Sequence, residues 1–120
     1  MTTTNGQLAS QDQRPKHVVW DAEFRVVEWS GRAEKLFGWK AEEVKGRHPG
    51  EWNFLHEKGL AKAEQMFNRL GNGALARSII KLQHYTKSGE VITCDWYNYT
   101  IPGSAPGSLR IESLVRQLKS

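Results

Sequence analysis

Cys94 and His84 are the two residues whose types and spacing could form a reactive pair. They lie in stretches with β-strand alternation, Ala76 to Tyr85 and Val91 to Ile101, which the turn residues Lys87 to Glu90 separate. A thiol and an imidazole on neighbouring strands can approach each other as a nucleophile and its base do. The sequence shows no third group, oxyanion loop, phosphate-binding loop or metal set beside them, so we predict no enzymatic activity.

The other residues suited to redox or metal chemistry are few. The chain has one cysteine, Cys94, which excludes an internal disulfide framework and leaves no Cys/His spacing for structural zinc. This usage fits a reducing cytoplasm, and a lone cysteine in a strand is most often a small buried hydrophobe. His48 and His56 fall in or beside irregular segments, and we interpret them as surface or capping residues.

The charge of the chain invites a nucleic-acid interpretation that its distribution does not favour. Its 17 Lys and Arg residues exceed its 13 Asp and Glu residues, giving a formal net charge of +4. The basic residues alternate with acidic ones along predicted helix faces and form no patch, so we expect no direct binding to nucleic acid. The polar first 16 residues hold no apolar run, so neither a signal peptide nor a membrane-spanning helix is predicted.

The order of predicted elements defines the fold class. Residues 1–16 read as a flexible arm or a short cap, and two β-branched and aromatic runs around Asp21-Ala22-Glu23 then form a hairpin. Ser30 can cap a short helix that Gly38 ends, and Lys40 to Lys45 forms another short turn.

A longer amphipathic helix and three strands complete the chain. The helix carries Leu60, Ala63, Met66, Phe67 and Leu70 on one face, and Gly71 to Gly73 stops it. The strands run from Ala76 to Tyr85, Val91 to Ile101 and Leu109 to Leu118. Strands at both ends with helices between them predict one α+β domain, an antiparallel sheet with helices on one face.

Several motifs in order resemble the PAS family. The run VVWDAEFRVVEWSGRAEKLFGWKAEEVKG is similar to the opening of a PAS domain, Trp52 to Glu57 resembles the entry to its long helix, and YTKSGE resembles its next hairpin. The resemblance spans residues 17–118 and implies a five-stranded PAS sheet whose short helices close a pocket. Residues 119–120 would then begin the connection to an output domain.

Departures from the family narrow what the resemblance implies. Ser30 stands where many members have Asn, and the Asp-Ile-Thr ending that couples to an output helix is replaced by RQLK, so the means of relaying a signal stays open. Light-sensing LOV members carry a reactive Cys after the Gly, where this chain has Arg47-His48-Pro49. Haem-binding members place a His in the long helix, and none lies between Lys58 and Leu70. We therefore expect neither flavin nor haem.

The inner face of the sheet would line the pocket. Alternation places Ser78, Ile80, Leu82 and His84 together, and the resemblance favours Cys94, Trp96 and Asn98 over Thr93, Asp95 and Tyr97 on the next strand. The face depends on register: a tight turn would pair His84 with Thr93, and a longer loop would pair it with Cys94. The predicted ligand-binding residues are His84, Cys94, Trp96, Asn98, Ile80, Leu82, Met66, Phe67, Leu36 and Trp52. His84 and Asn98 could equally bond to backbone while Trp96 fills the core.

The resemblance implies a cytoplasmic sensory module of a bacterial signal-transduction or transcription-regulatory protein. It would bind a small organic molecule between sheet and helices and relay the signal to an attached output such as a helix-turn-helix, histidine kinase or diguanylate cyclase. The alternative is a ligand-free module for dimerisation, with Tyr97 and Tyr99 on the outer face pairing with a second copy. A homodimer is expected in either case.

Overall fold

A computed structural model of the chain describes residues 16–103, 105 and 107–118. Apart from Lys16, the predicted arm lies outside the described residues, as do residues 119–120. The described part contains the predicted five-stranded antiparallel sheet, and the α+β prediction is confirmed. The strands are β1 (Lys16–Asp21), β2 (Val26–Trp29), β3 (Arg77–Tyr85), β4 (Val91–Ile101) and β5 (Arg110–Leu118).

The sheet has the order β2-β1-β5-β4-β3, so the first and last strands meet at its centre. Trp20 of β1 lies opposite Ile111 of β5, and both are buried. A bulge between Val19 and Trp20 interrupts the β1–β2 register. In the turn that follows, Phe24 takes a positive φ of 58°, and its side chain is buried.

The register of the β3–β4 hairpin differs from both predicted alternatives. His84 lies opposite Ile92, and Leu82 lies opposite Cys94. The reason is the loop at residues 86–90, which is closed by a hydrogen bond from the Thr86 amide to the Glu90 carbonyl, 2.8 Å long. This pairing keeps His84, Cys94, Trp96 and Asn98 on the same buried face, because residues opposite each other in a sheet point to the same side.

The two short helices end and begin where the sequence predicts. They are α1 (Gly31–Phe37) and α2 (Ala41–Val44). Ser30 Oγ accepts a hydrogen bond from the Ala33 amide, 3.1 Å away, and Gly38 adopts a left-handed φ of 92° directly after α1. Helices of this length are marginal alone, so their stability comes from packing on the sheet.

The main helix, α3 (Leu60–Gly71), lies across the inner face of the sheet and follows two short 3₁₀ turns, Pro49–Glu51 and Glu57–Gly59. Its apolar stripe is buried as predicted except at Leu60, which is 38% exposed in the first turn. At its other end, Gly71 approaches the carbonyl of Ala22 so closely that a Cβ would lie 2.4 Å from the oxygen. Glycine is therefore needed where α3 meets the β1–β2 turn.

Candidate functional site

The interior between sheet and helices is an aromatic core, and its described side chains leave a small cavity. The cavity has a volume of about 10 Å³, which is the space that a single water molecule needs. Its walls come from both layers: Trp20, Phe24, Pro49, Phe54, Leu55, Met66, Phe67, Leu82, His84, Trp96 and Asn98. In this conformation the described side chains leave no room in this cavity for a metabolite.

The structure brings a subset of the predicted site residues to this cavity. They are Met66, Phe67, Leu82, His84, Trp96 and Asn98. Four others lie elsewhere: Cys94 is fully buried away from the cavity and Ile80 is half-buried on β3. Leu36 lines a separate surface groove beside Ile92, and Trp52 packs against Trp29 and Phe54.

Other cavity residues were missed because they come from a turn and an irregular segment. Phe24 reaches the core through its positive φ, and Phe54 is carried inward by backbone bonds to β3. Neither position has a repeating pattern that shows which way its side chain points. Trp20 could have been found, since alternation along β1 places it on the same face as the buried Val18.

His84 is held at both ring nitrogens in the middle of the core. Nδ1 lies 3.3 Å from the carbonyl oxygen of Phe54, and Nε2 accepts a 2.7 Å hydrogen bond from the Trp96 indole N–H. The ring is therefore neutral, with its proton on Nδ1. Burial lowers the pKa of His84 to about 3, against the smaller opposing effect of the Phe54 bond.

The hydrogen bonds of His84 determine whether it can form a reactive pair with Cys94. Both nitrogens of His84 are engaged by Phe54 and Trp96, so His84 is not positioned to serve as the base of Cys94. Among the described residues no group of three or more His, Cys, Asp or Glu side chains could hold a metal ion. His48 and His56 accept hydrogen bonds from the Gly50 and Lys58 amides, and they cap the two 3₁₀ turns.

A second set of buried, hydrogen-bonded side chains crosses the centre of the sheet. The Trp20 indole donates to Ser113 Oγ at 2.9 Å, and Ser113 Oγ donates to Asn98 Oδ1 at 2.6 Å. The Asn98 amide nitrogen then points to Met66 Sδ, 3.3 Å away. Because a thioether is a weak acceptor, this amide is the least satisfied polar group lining the cavity.

The outer face of the sheet carries an apolar row that nothing in the described structure covers. Register aligns Ile79 on β3, Tyr97 on β4 and Leu114 on β5, with exposed fractions of 72%, 37% and 36%. A charged row runs beside it, where Lys81 lies opposite Asp95 and Asp95 opposite Arg116. We call the residues Ile79, Tyr97 and Leu114 the apolar row.

The hairpin tip contacts the short helices directly. The Lys87 amide donates to the Phe37 carbonyl at 2.8 Å, and Lys87 Nζ donates to Glu43 Oε2 at 2.7 Å. The Lys87 hydrogen bond, together with one from the Lys40 amide, lowers the pKa of Glu43. These contacts connect the β3–β4 hairpin to α1 and α2.

The fold is that of PAS domains, a class of signalling modules. A family model described as the PAS fold matches residues 11–56. A search of curated proteins finds no significant match. The family match over residues 11–56 and the five-stranded architecture together show that the chain has the PAS fold.

Solved structures share this fold at low sequence identity. A variant Cycle PAS-B domain of Drosophila melanogaster with bound glycerol has a TM-score of 0.74 at 12% identity, covering 85% of this chain and 98% of that one. The PAS domain of an HTR-like protein from Haloarcula marismortui has a TM-score of 0.70 at 17% identity, covering 98% and 93%. A PAS domain from a two-component sensor histidine kinase has a TM-score of 0.70 at 7% identity, covering 98% and 100%.

Within the part of the chain that the structure describes, no helix is long and apolar enough to cross a membrane.

Proposed function

We propose that this PAS domain works as a signalling module by association of its outer sheet face with a second copy of itself. The observation that carries the proposal is the exposed apolar row, which crosses three neighbouring strands. The small cavity in the interior of the domain also supports this proposal. A cavity the size of one water molecule gives a metabolite no place to bind without rearrangement of the core.

The row has the properties of a self-complementary contact. Neighbouring strands lie about 4.8 Å apart, so the three side chains form a continuous apolar strip across the sheet. A two-fold axis through Tyr97 would bring each strip against its copy. Tyr99, also predicted on this face, is half-buried, and its hydroxyl donates to Glu112.

The Tyr97→Glu variant tests this association. Placing a carboxylate in the middle of the strip would bury two like charges at the two-fold axis, so we expect the dimer to become a monomer. Sedimentation equilibrium over a range of concentrations measures the change. Gln65→Glu, which adds the same charge on the exposed side of α3, is the matched control and should remain dimeric. An unchanged mass for Tyr97→Glu would contradict the proposal.

We place the module in the cytoplasm of a bacterium, within a longer regulator whose output is a helix-turn-helix, histidine kinase or diguanylate cyclase. Support comes from the resemblance of the sequence to such modules and from the likeness in fold to a PAS domain of a two-component sensor histidine kinase. In the described structure, the hairpin contacts of Lys87 with Phe37 and Glu43 offer a route between the sheet and the short helices.

Binding of a small molecule is the second candidate function, and Asn98 is the observation that favours it. Its amide donates to a thioether at the wall of the cavity, where a hydroxyl or carbonyl oxygen would be a better acceptor. Such a ligand would have to displace Met66 or Phe67. The residues of the sequence prediction that line the cavity would then surround it.

The Asn98→Ala variant tests the second candidate. Removing the amide deletes the polar contact, so we expect at least tenfold less small molecule retained on the purified domain, measured by native mass spectrometry. Asn68→Ala, on the exposed side of α3, is the control for the loss of an amide. Equal retention in the two variants, or a wild-type protein that carries no ligand, would count against this candidate.

A further inference from the structure

We propose that the free edge of β3 between Arg77 and Lys81 binds an acidic peptide segment of a partner protein, which adds to the sheet as a further strand. This inference goes beyond the proposed dimer, because it concerns backbone pairing at the sheet edge and uses only Ile79 of the apolar row. It rests on an unpaired stretch of edge, the direction of its backbone groups and the charge that surrounds it.

One half of the β3 edge is already covered by the chain itself. The His56 amide donates to the Gln83 carbonyl at 3.1 Å, and the Tyr85 amide donates to the Phe54 carbonyl at 3.0 Å. Leu55 and His84 form an antiparallel bridge between these bonds. Residues 54–56 thus act as a short added strand, which shows that this edge accepts antiparallel pairing.

These hydrogen bonds also determine which residues in the other half of the β3 edge direct their backbone N–H and C=O groups away from β4. Gln83 and Tyr85 use their backbone groups at the edge, whereas the Ala76 carbonyl accepts a hydrogen bond from Thr100 of β4. The β3–β4 register runs without interruption from residue 77 to residue 85. Backbone groups alternate in direction along a strand, so Arg77, Ile79 and Lys81 present their N–H and C=O groups at the edge. No backbone bond from another described segment reaches them.

The opposite edge of the sheet, formed by β2, is covered by another segment of the chain. The Val26 amide of β2 donates to the Arg47 carbonyl at 3.0 Å, and the Gly46 amide donates back to the Val26 carbonyl at 2.8 Å. The loop after α2 therefore covers that edge at Val26. An open stretch of backbone such as that of β3 is a template for strand addition.

The surroundings of the open edge are basic. Lys58, Lys62 and Lys81 line one surface groove together with Gly59 and Gln83, and Arg77 lies at the other end of the edge. None of these four cations forms an ion pair with another described residue. An acidic peptide would supply the missing counter-charges, which makes charge complementarity the reason for choosing this partner.

The outward side chains define the pattern of the partner strand. Arg77, Ile79 and Lys81 point to the same face of the sheet, and Ile79 is 72% exposed. A strand opposite them would place an apolar residue against Ile79 and acidic residues against the two cations. The expected motif is acidic–x–apolar–x–acidic, five residues in extended conformation.

Two other occupants fit the edge poorly. Pairing of two β3 edges would set Arg77 and Lys81 of one copy against the same cations of the other. Residues 1–15 of the chain contain one acidic residue, Asp12, with Arg14 close by, and they lack the motif. The expected partner is therefore a different protein.

The first experiment uses the acetylated and amidated peptide Thr-Glu-Thr-Val-Thr-Glu-Thr, labelled with fluorescein, and measures its anisotropy on titration with the full chain. We expect saturable binding that weakens with added salt. A peptide with Lys in place of both Glu residues should bind at least tenfold more weakly, as should the acidic peptide N-methylated on the amides that face the edge. Absence of saturable binding, or equal binding of all three peptides, would overturn the proposal.

Protein variants provide the matching test. Ile79→Pro removes one outward N–H and leaves the pairing with β4, because the amide of residue 79 does not face β4. It should bind the peptide at least tenfold more weakly, while Ile79→Val should bind as the wild type does. The combined change Lys58→Glu, Lys62→Glu and Lys81→Glu should abolish binding. If Ile79→Pro does not fold, the N-methylated peptide tests the same hydrogen bonds on the wild-type protein.

Hydrogen exchange separates strand addition from simple charge attraction. The amides of Arg77, Ile79 and Lys81 should become protected when the acidic peptide binds, and unchanged exchange there would overturn the proposal. The measurement is repeated in Tyr97→Glu, which is monomeric if the dimer proposal holds. Peptide binding in both backgrounds would show that the edge works whether or not the outer face forms a dimer.

Discussion

As the pH falls from 6.5 toward 3, the folded domain will lose roughly 5 kcal/mol of stability because of His84 alone. The pKa of the buried ring is lowered from 6.5 to about 3. Between these values the unfolded chain binds a proton at His84 and the folded chain does not. Stability is therefore complete above pH 6.5 and decreases as the pH falls, by about 1.4 kcal/mol per pH unit. A loss of this size approaches the whole stability of a small domain.

His84→Gln isolates this effect from other acid-sensitive groups. Glutamine can accept the Trp96 hydrogen bond through its carbonyl oxygen, but it takes up no proton in this range. Glu43 and Glu57 also have lowered pKa values because of bonds to Lys87 and Tyr85, so their stabilisation is lost in acid too. The wild type and His84→Gln both keep that loss of stability. The difference in slope therefore belongs to His84.

Urea unfolding at pH 7, 6, 5 and 4 measures the two slopes. The wild type should lose stability more steeply than His84→Gln at every step below pH 6.5. His84→Gln will start from a lower stability at pH 7, since it lacks the ring that stacks on Phe54 with centroids 4.2 Å apart. Parallel pH profiles of the two proteins would mean that His84 is not buried in its neutral form.

Trp96→Ala will destabilise the domain by about 3–5 kcal/mol, which is usual for removing a buried aromatic side chain. The Trp96 ring stacks on Phe37 with centroids 5.9 Å apart, and its centroid lies 6.2 Å from those of Trp20 and Phe54. Its loss leaves a cavity between sheet and helices and takes away the N–H that bonds to His84 Nε2. The enlarged space would join the water-sized cavity that Trp96 helps to line.

Indole should partly restore this variant, because it has the shape and the N–H of the missing side chain. Thermal unfolding should show a lower Tm for Trp96→Ala and a rise with millimolar indole that the wild type does not show. Trp96→Phe is the matched control, and it should lose less stability because most of the ring volume stays. A Tm of Trp96→Ala within a degree of the wild type would contradict the close packing of this core.

The elements of the fold could be predicted from the sequence because their signals are local. Ser30 and Gly38 mark the ends of α1 through hydrogen-bonding capacity and backbone freedom, and the structure places the helix between them. Register could not be predicted, since it depends on the geometry of the loop at residues 86–90. The inner face of β4 was nevertheless identified, because the PAS resemblance favoured Cys94, Trp96 and Asn98, and the pairing of His84 with Ile92 keeps them on the face of His84.

The cavity was only partly predictable for a related reason. His84, Trp96 and Asn98 lie on strands, where alternation assigns a face. Phe24 and Phe54 lie where no periodicity exists: a positive φ directs Phe24 inward, and a tertiary hydrogen bond from the Tyr85 amide holds Phe54 against β3. Leu36 and Trp52 were also predicted to bind the ligand, but Leu36 lines a separate surface groove and Trp52 packs against Phe54 without lining the cavity.

The meeting of β1 and β5 at the centre of the sheet has a consequence for biosynthesis. Trp20 and Ser113, joined by a hydrogen bond, are 93 positions apart in the chain. While the ribosome is still making β5, the β1–β2 and β3–β4 hairpins can form, but nothing joins them and both leave open edges. The rate-limiting step of folding should therefore follow synthesis of the last strand. Until that strand docks, the nascent chain is most exposed to aggregation and to chaperones.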